Sequence, residues 1–355
     1  MFATSDFPSE NPRTLTRNYS YTNTLAKIMK KNIILLVIVL ILLGCTKDNN
    51  NIEENIFDGD ITLTTQDEVD KFGSNNYTEI IGTLYIGEGL LNRNTFIRNI
   101  DKLASLKAIT KLEIKGNDNL TNINGLKNLT FVEELKIRYN ISLVSIDGLM
   151  SLHPIYDGLL EILGNSSLLD LKGLNKIQYV NDLKILSNGI RNLEGLNNLT
   201  SANILYIDNN EKITNLKELN KLTKVNYLHI YGNDSLESLE GLNYLSIIGN
   251  RGLWIRQNFS LVNINGLENL IKIEGDLSIF ENYKLENLDG IKNLTFVGGN
   301  LEIAYNTIEP YENGLDDLCG LYSLINNNGL IGTYDIRENK YNPTRQDIKT
   351  GNCGQ

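Results

Sequence analysis

A regularly spaced series of ten Leu-x-Ile triplets constrains the fold of this chain more strongly than any other feature. Successive triplets lie 28, 23, 25, 23, 22, 23, 25, 24 and 24 residues apart. A period of about 24 residues is typical of a solenoid, in which each repeat stacks on its neighbours. The triplets begin at Leu84, Leu112, Leu135, Leu160, Leu183, Leu205, Leu228, Leu253, Leu277 and Leu301.

Each repeat carries the pattern of one short strand followed by a turn. The leucine and isoleucine of the triplet alternate with variable residues, as in a strand with one buried face. An asparagine follows three residues after the isoleucine, except in the first repeat, where Gly89 stands. Stacked asparagine amides offer donors and acceptors to turn backbone groups that are otherwise buried and unpaired. These asparagines are Asn117, Asn140, Asn165, Asn188, Asn210, Asn233, Asn258, Asn282 and Asn306.

The second half of the repeat follows the pattern Leu-x-x-Leu-x-Gly-Leu, with isoleucine as the alternative at the fourth position. The glycine predicts a tight corner, and Glu218 replaces it in one repeat. The whole consensus, over residues 60–306, is a leucine-rich repeat that resembles the receptor L domain and L-domain lipoproteins of the Bacteroidetes type. The resemblance implies a right-handed single-strand β-helix of about ten coils with capped ends. It also implies ligands held on a sheet face or its rim.

The residues before the repeats have the form of a bacterial lipoprotein leader. Residues 1–28 carry no pattern, and we expect Met29 to be the true start. Residues 29–44 join a short basic segment to the apolar run 33–43, which is typical of a signal peptide and too short to span a bilayer. The ending Leu-Leu-Gly-Cys resembles a lipobox, which implies cleavage before Cys45 and its lipidation. A plain membrane anchor with an incidental cysteine is the alternative.

The segment after the lipobox predicts an anchored protein at the cell surface. Residues 45–59 are polar and charged, hold too little apolar surface to fold, and are expected to form a flexible tether. Lys47 followed by Asp48 resembles the surface-export signal of Bacteroidetes lipoproteins. We expect attachment to the outer membrane through the lipid anchor only. The net charge of −10, with no basic stripe, predicts no nucleic-acid binding.

Both ends of the repeat array need covers, because a terminal coil exposes its core. Residues 65–68 read Thr-Gln-Asp-Glu, a capping box that predicts a short amphipathic helix at the N-terminal end. Residues 307–355 leave the repeat and are expected to form a C-terminal cap with a short helix at 315–325. If Cys45 carries lipid, Cys319 and Cys353 remain as an even pair in an oxidising compartment, which predicts a disulfide. Two free thiols are the alternative.

The residues that catalysis requires are sparse in this chain. The two histidines, His153 and His229, lie in different repeats without metal-ligand spacing, and no cysteines remain for zinc. Phosphate-binding loops and nucleophile elbows are absent. We therefore expect no enzyme, no cofactor and no metal. A pair of carboxylates between cap and solenoid, as in a glycosidase, stays open, and so does calcium at the turn 116–119.

One group of outward positions differs from the charged outward positions of the early repeats. Tyr206, His229 and Trp254 occupy the same position in three successive repeats. Three residues of the next outward row, and one tyrosine that adjoins these rows, complete the group. An exposed group of aromatic residues with a few polar side chains predicts a patch that binds a protein or a carbohydrate. The alternative is a structural patch covered by a loop or another subunit. The remaining members of the group are Tyr227, Tyr231, Arg256 and Phe280.

These features together predict a surface-anchored, non-catalytic binding or adhesion lipoprotein. It recognises a glycan or a protein through the outward face of the solenoid sheet. The first alternative is an accessory or structural subunit of an outer-membrane complex, and the second is an enzyme with a hidden cleft. The fold alone cannot separate them.

Overall fold

The computed structural model describes residues 55–87, 96–307 and 314–354, and within these ranges the chain forms one sheet of 15 strands with few helices. The predicted leader segments 1–28 and 29–44, together with Cys45 and Gly89, lie outside the described residues. The strands are β1 (Ile56–Asp58), β2 (Ile61–Leu63), β3 (Glu79–Gly87), β4 (Ala108–Lys115), β5 (Phe131–Arg138), β6 (Ile155–Leu163), β7 (Tyr179–Leu186), β8 (Ser201–Asp208), β9 (Lys224–Tyr231), β10 (Ile247–Arg256), β11 (Lys272–Ile273), β12 (Leu277–Phe280), β13 (Phe296–Val297), β14 (Leu301–Ala304) and β15 (Tyr334–Arg337).

The pairings between these strands are all parallel. From β3 to β10 each strand pairs with the next one in sequence, and the path continues through β12 and β14 to β15. The short strands β11 and β13 pair beside this path, and β2 pairs with β3. Parallel neighbours require the chain to leave the sheet and return between strands, so this connectivity is compatible with the predicted solenoid.

The triplet residues face the core. Leu112 pairs with Leu135 and Ile114 pairs with Ile137, and the same register holds in the following strands. The leucines and isoleucines of all ten triplets are buried, which confirms their predicted inward position. Successive strand residues point to opposite sides, so the residues between and after them face outward.

The asparagines that follow the triplets pair as predicted. Asn140 donates from Nδ2 to the carbonyl of Ile114 at 3.0 Å, and its Oδ1 accepts from the backbone N–H of Asn117 at 3.1 Å. Each such pair links the turn of one strand to the turn of the next. The residues joined in this way are Asn117, Asn140, Asn165, Asn188, Asn210, Asn233, Asn258, Asn282, Asn306 and Asn339.

The corner glycines are required by a close approach of backbone. A Cβ on Gly125 would lie 1.8 Å from the carbonyl oxygen of Ile100, and one on Gly148 would lie 1.9 Å from that of Ile123. Neither glycine has positive φ. At these two corners glycine is required by contact with the preceding chain segment. The corner glycines Gly195, Gly241 and Gly266 make the same close approach and also have positive φ.

The sheet extends past residue 306, which corrects the predicted boundary of the C-terminal cap. Strand β15 pairs with β14 inside the segment assigned to the cap, and Asn339 continues the asparagine pairing as far as Asn342. The triplet pattern does not indicate this strand, because Tyr334 stands where the other triplets have leucine. Tyr334 is half-buried, and its hydroxyl donates to the carbonyl of Pro343 at 2.7 Å.

The sheet also begins earlier than predicted. The tether was expected to run through residue 59, but Ile56–Asp58 forms β1 and pairs with β3. The physical reason is Phe57, whose ring lies 5.4 Å from those of Phe72 and Tyr77. Ordering residues 56–58 costs chain entropy, and the partial burial of the Phe57 ring against the core offsets that cost.

Short helices cover both ends of the sheet. Helix α1 (Gln66–Gly73) begins with the predicted capping box at Thr65 and buries Val69 and Phe72. At the other end, α2 (Tyr322–Asn326) follows a single 3₁₀ turn at Cys319–Leu321, and α3 (Arg345–Lys349) follows β15. The predicted helix at 315–325 is therefore shorter than expected. Cys319 and Cys353 form the predicted disulfide.

Candidate binding site on the outward sheet face

Strand register brings the predicted aromatic residues together on the outward face. Tyr206 pairs with His229, and His229 pairs with Trp254, so the three form one row across β8, β9 and β10. In the next row Arg256 pairs with Tyr231 on one side and Phe280 on the other. These rows match the predicted positions.

His229 lies at the centre of a cluster of five rings. Tyr227, His229 and Tyr231 alternate along β9, so their side chains emerge on one face. Their planes are nearly parallel, at 12° and 6°, with centroids 5.9 and 5.8 Å apart. Tyr206 and Trp254 meet the His229 ring edge to face, at 5.2 and 6.0 Å. We call these five residues the ring cluster.

Arg256 covers one face of Trp254. Its guanidinium carbon lies 4.2 Å from the Trp254 ring centroid and 5.3 Å from that of Phe280, within the range of cation–π attraction. Its Nε donates to Ser278 Oγ at 3.0 Å and its Nη2 donates to Glu302 Oε2 at 2.8 Å. These bonds hold the guanidinium in place against the indole.

Asp208 is bonded to the central histidine. Its Oδ2 lies 2.9 Å from Nδ1 of His229, and its side chain is only 12% exposed. Its other oxygen, Oδ1, is buried without a hydrogen-bond partner, as is Nε1 of Trp254. Burial raises the pKa of the Asp208 carboxyl above its usual value, and the contact with His229 opposes that shift. Buried polar atoms without partners are unfavourable, and they concentrate where a structure serves a function.

Two phenols of the cluster, those of Tyr206 and Tyr227, remain neutral donors. Burial raises the pKa of Tyr227 to about 12, with smaller contributions from Tyr206 and Asp208. Burial also raises the pKa of Tyr206. Both hydroxyls therefore keep their protons over the whole range in which proteins are stable.

Charges around the ring cluster balance. Lys184 lies over the Tyr206 ring, with Nζ 5.5 Å from the centroid, and Arg251 is exposed close enough to influence Tyr206 and Tyr227. Three cations thus surround the cluster with an equal number of carboxylates. They are Lys184, Arg251 and Arg256, and Asp182, Asp208 and Glu302.

The outward face of the early strands is different, because its charges pair with one another. Arg138 bonds to Glu161 at 2.5 Å and lies 3.5 Å from Glu113. Glu134 pairs with Lys136 in the adjacent row. Such a face needs no partner, whereas the ring cluster presents aromatic surface.

Asp208, Ser278 and Glu302 are members of the site that sequence reasoning missed. The signal was available, because each occupies the same rows as the predicted residues. Asp208 pairs with Tyr231, Ser278 pairs with Trp254, and Glu302 pairs with Ser278. In the sequence, a serine or an acidic residue at an outward position has the same appearance as a solvent-exposed residue with no role in binding.

Other features lie away from the ring cluster. A cavity of about 540 Å³ lies near the N-terminal end of the sheet, lined in part by Thr62, Tyr85 and Lys115. His153 is exposed in the connection before β6. The described residues contain no group of three or more histidine, cysteine or acidic residues placed to hold a metal ion. None of the helices in the described ranges has both the length and the apolar character to cross a membrane.

No known protein family has a model that matches this chain, and no curated protein matches it.

Proposed function

We propose that this chain is a surface-anchored, non-catalytic binding or adhesion protein that holds a glycan or a protein against its outward sheet face. The contact residues are the ring cluster with Arg256 and Phe280. The ligand packs on ring edges and phenol hydroxyls, and no bond of the ligand is made or broken.

The observation that carries this proposal is the ring cluster itself. Tyrosine, tryptophan and arginine dominate binding hot spots, because each offers a large contact area with few rotatable bonds and a polar tip. Here three tyrosines, the only tryptophan and a fixed arginine lie side by side on a sheet face. A sheet face that only met water could carry the paired charges found on β4 to β6.

The proposal includes the anchor and the finer fold. We infer a right-handed single-strand β-helix of the receptor L-domain type, supported by the parallel sheet, the paired asparagines and the corner glycines. We infer lipidation at Cys45 after removal of a signal peptide at 29–44, supported by the basic segment, the apolar run and the lipobox-like ending. The protein is then attached to the outer membrane and exposed at the cell surface.

A second candidate is an accessory subunit of an outer-membrane complex. Exposed apolar side chains outside the ring cluster favour it, among them Tyr244, Ile247 and Ile271. A fixed partner that covers such residues removes apolar area from water.

The test is a screen of the whole chain, purified in detergent, against arrays of glycans and cell-surface proteins. The variant Trp254→Ala/Tyr231→Ala is expected to lose at least tenfold in affinity for any hit while keeping its melting temperature within a few degrees. Tyr156→Ala is the matched control, because Tyr156 is 65% exposed and lies outside the ring cluster. A hit should also change the fluorescence of Trp254, which is the only tryptophan.

Two outcomes count against the proposal. Binding that survives the double variant moves the site elsewhere on the molecule. A screen with no hits, together with a membrane partner that copurifies at fixed stoichiometry, favours the accessory subunit.

A further inference from the structure

Several ring faces of the cluster already contact other groups of the protein. Tyr227, His229 and Tyr231 stack on one another along β9, and the Arg256 guanidinium covers Trp254. A pyranose ring that stacks on an aromatic side chain needs an open ring face. Because the three rings of β9 stack along the strand, their edges and not their faces point away from the sheet. Ring edges suit hydrogen bonding and side-chain packing better than stacking of a sugar.

In the neutral ring of His229, the tautomer that bonds to Asp208 makes Nε2 an acceptor. A carboxylate only accepts hydrogen bonds, so Asp208 Oδ2 requires the proton on Nδ1 of His229. Nε2 of the neutral ring is then left with its lone pair. Among the described residues the enclosed side-chain atoms without a partner are Asp118 Oδ1, Asp208 Oδ1 and Trp254 Nε1. Nε2 of His229 is not one of them, so it is not fully enclosed, and the side chain as a whole is 15% exposed.

The remaining properties of the site argue for a protein ligand. The charges around the cluster balance, so they do not select an anionic sugar or a phosphate. From β8 to β12 the rows cross four strands, roughly 15 Å at about 4.8 Å a strand. A rigid sheet face rich in tyrosine resembles the preorganised aromatic surfaces that proteins use to bind one another.

We propose that the ring cluster binds a protein segment that donates a hydrogen bond, from a backbone N–H or a hydroxyl, to Nε2 of His229. Asp208 is the positioning residue, because it fixes the tautomer and the orientation of the ring. This inference rests on the proposed binding function and narrows its ligand to protein. Protonation of His229 removes the lone pair, so binding weakens in acid.

The probe is a displayed library of random 12-residue peptides, panned on the immobilised whole chain and counter-selected on Trp254→Ala/Tyr231→Ala. Enriched peptides are then measured by titration at pH 7.5 and pH 5.5, a range across which histidine side chains change charge. We expect binding to the unsubstituted protein to be weaker at pH 5.5 than at pH 7.5.

Two substitutions of His229 separate an acceptor role from a structural one. His229→Gln places an amide oxygen near the position of Nε2, and an amide does not titrate. It should bind at both pH values with less than a twofold change between them. His229→Leu should bind at least tenfold more weakly at both. His153→Gln is the matched control and should keep the pH dependence of the unsubstituted protein.

Asp208→Asn tests the positioning role. The amide can donate to Nδ1 and favour the other tautomer, which turns Nε2 into a donor. We expect weaker binding at pH 7.5 and a smaller change between the two pH values. A variant with the unsubstituted affinity and pH profile overturns the role of Asp208.

Other outcomes overturn the inference in distinguishable ways. Peptide binding without pH dependence removes His229 as the acceptor. A defined glycan that binds through the ring cluster, with no peptide enriched, keeps the proposed function but makes its ligand a sugar. If neither peptides nor glycans distinguish the chain from its double variant, the inference and the proposed function both fail.

Discussion

At the scale of single residues, the turn before each paired asparagine requires a left-handed backbone. Three glycines occupy this position, but most of its occupants carry a Cβ, which costs about 1 kcal/mol in that conformation. Chemically different residues thus share one left-handed backbone conformation, because the side-chain amide of the asparagine that follows each of them must face the core. The positions are Gly116, Tyr139, Gly164, Ser187, Asn209, Gly232, Gln257, Glu281, Tyr305 and Glu338.

Ser187→Gly should therefore stabilise the fold. Ser187 has φ of 55°, and removing its Cβ relieves the strain while adding some entropy to the unfolded chain. We expect a net gain of about 0.5 kcal/mol and a melting temperature higher by roughly 1–2 °C. The control is Ser201→Gly in β8, where φ is negative and glycine should lower the melting temperature. Equal effects at the two sites would rule out the strain argument.

Asp208 should give the stability of the protein a pH dependence of definite sign. Burial raises its folded-state pKa above the usual value of 3.8, so the folded state holds this proton more tightly than the unfolded state does. Its contribution to stability is complete below pH 3.8 and is lost as pH rises through the folded pKa. Asp208→Asn should gain stability relative to the unsubstituted protein as pH rises from 4 to 7. Urea unfolding at pH 4, 5.5 and 7 measures the difference, and a gap that is constant with pH counts against the argument.

At the scale of secondary-structure elements, the paired asparagines hold successive turns together. Asn210 Oδ1 accepts from the backbone N–H of Asn188, and Nδ2 donates to the carbonyls of Ile185 and Asp208. Each strand is short, so these contacts fix the spacing of the turns where the ladder of strand hydrogen bonds has ended. They are fully buried, and water cannot replace them.

Asn210→Ala should be strongly destabilising. It leaves buried backbone groups of the neighbouring segments without partners, and each such group costs about 1–3 kcal/mol. We expect a loss of about 2–5 kcal/mol in the free energy of unfolding, measured by urea titration. Asn250→Ala is the control, because Asn250 is exposed, and its effect should stay within about 0.5 kcal/mol. A small effect of Asn210→Ala would mean that water enters the turn and satisfies these groups.

The elements could be predicted from sequence wherever a periodic residue recurs. The triplets gave the strands β3 to β14 that lie on the main path of the sheet, and their register placed Tyr206, His229 and Trp254 in one row. Strand β15 was missed because Tyr334 replaces the leucine, and β1 because one aromatic residue carries it. The bonds from Asp208 to His229 and from Arg256 to Glu302 depend on side-chain rotamers, which no spacing in the sequence specifies.

At the scale of the whole molecule, stability is shared between neighbouring strands and is weakest at the ends. An inner strand packs between two others. Among the described strands, β15 is the last in the sheet and pairs with β14 alone. The C-terminal cover compensates for this. The disulfide ties Cys353 to Cys319 across 34 residues, and the backbone N–H of Leu318 donates to the carbonyl of Cys353 at 2.8 Å. In a stacked array, loss of such a cover should loosen the nearest strands first.

The pair Cys319→Ser/Cys353→Ser should therefore open one end of the sheet and leave the other end intact. Closing a loop of this length is worth about 3–4 kcal/mol in the chain-entropy model, and that contribution acts on the segment between the cysteines. Amide hydrogen exchange followed by mass spectrometry should show faster exchange in β14, β15, α2 and α3, with β4 and β5 unchanged. Reductant added to the unsubstituted protein should reproduce the pattern. Equal acceleration along the whole sheet would instead indicate that the chain unfolds as one cooperative unit, with no independent fraying of its C-terminal end.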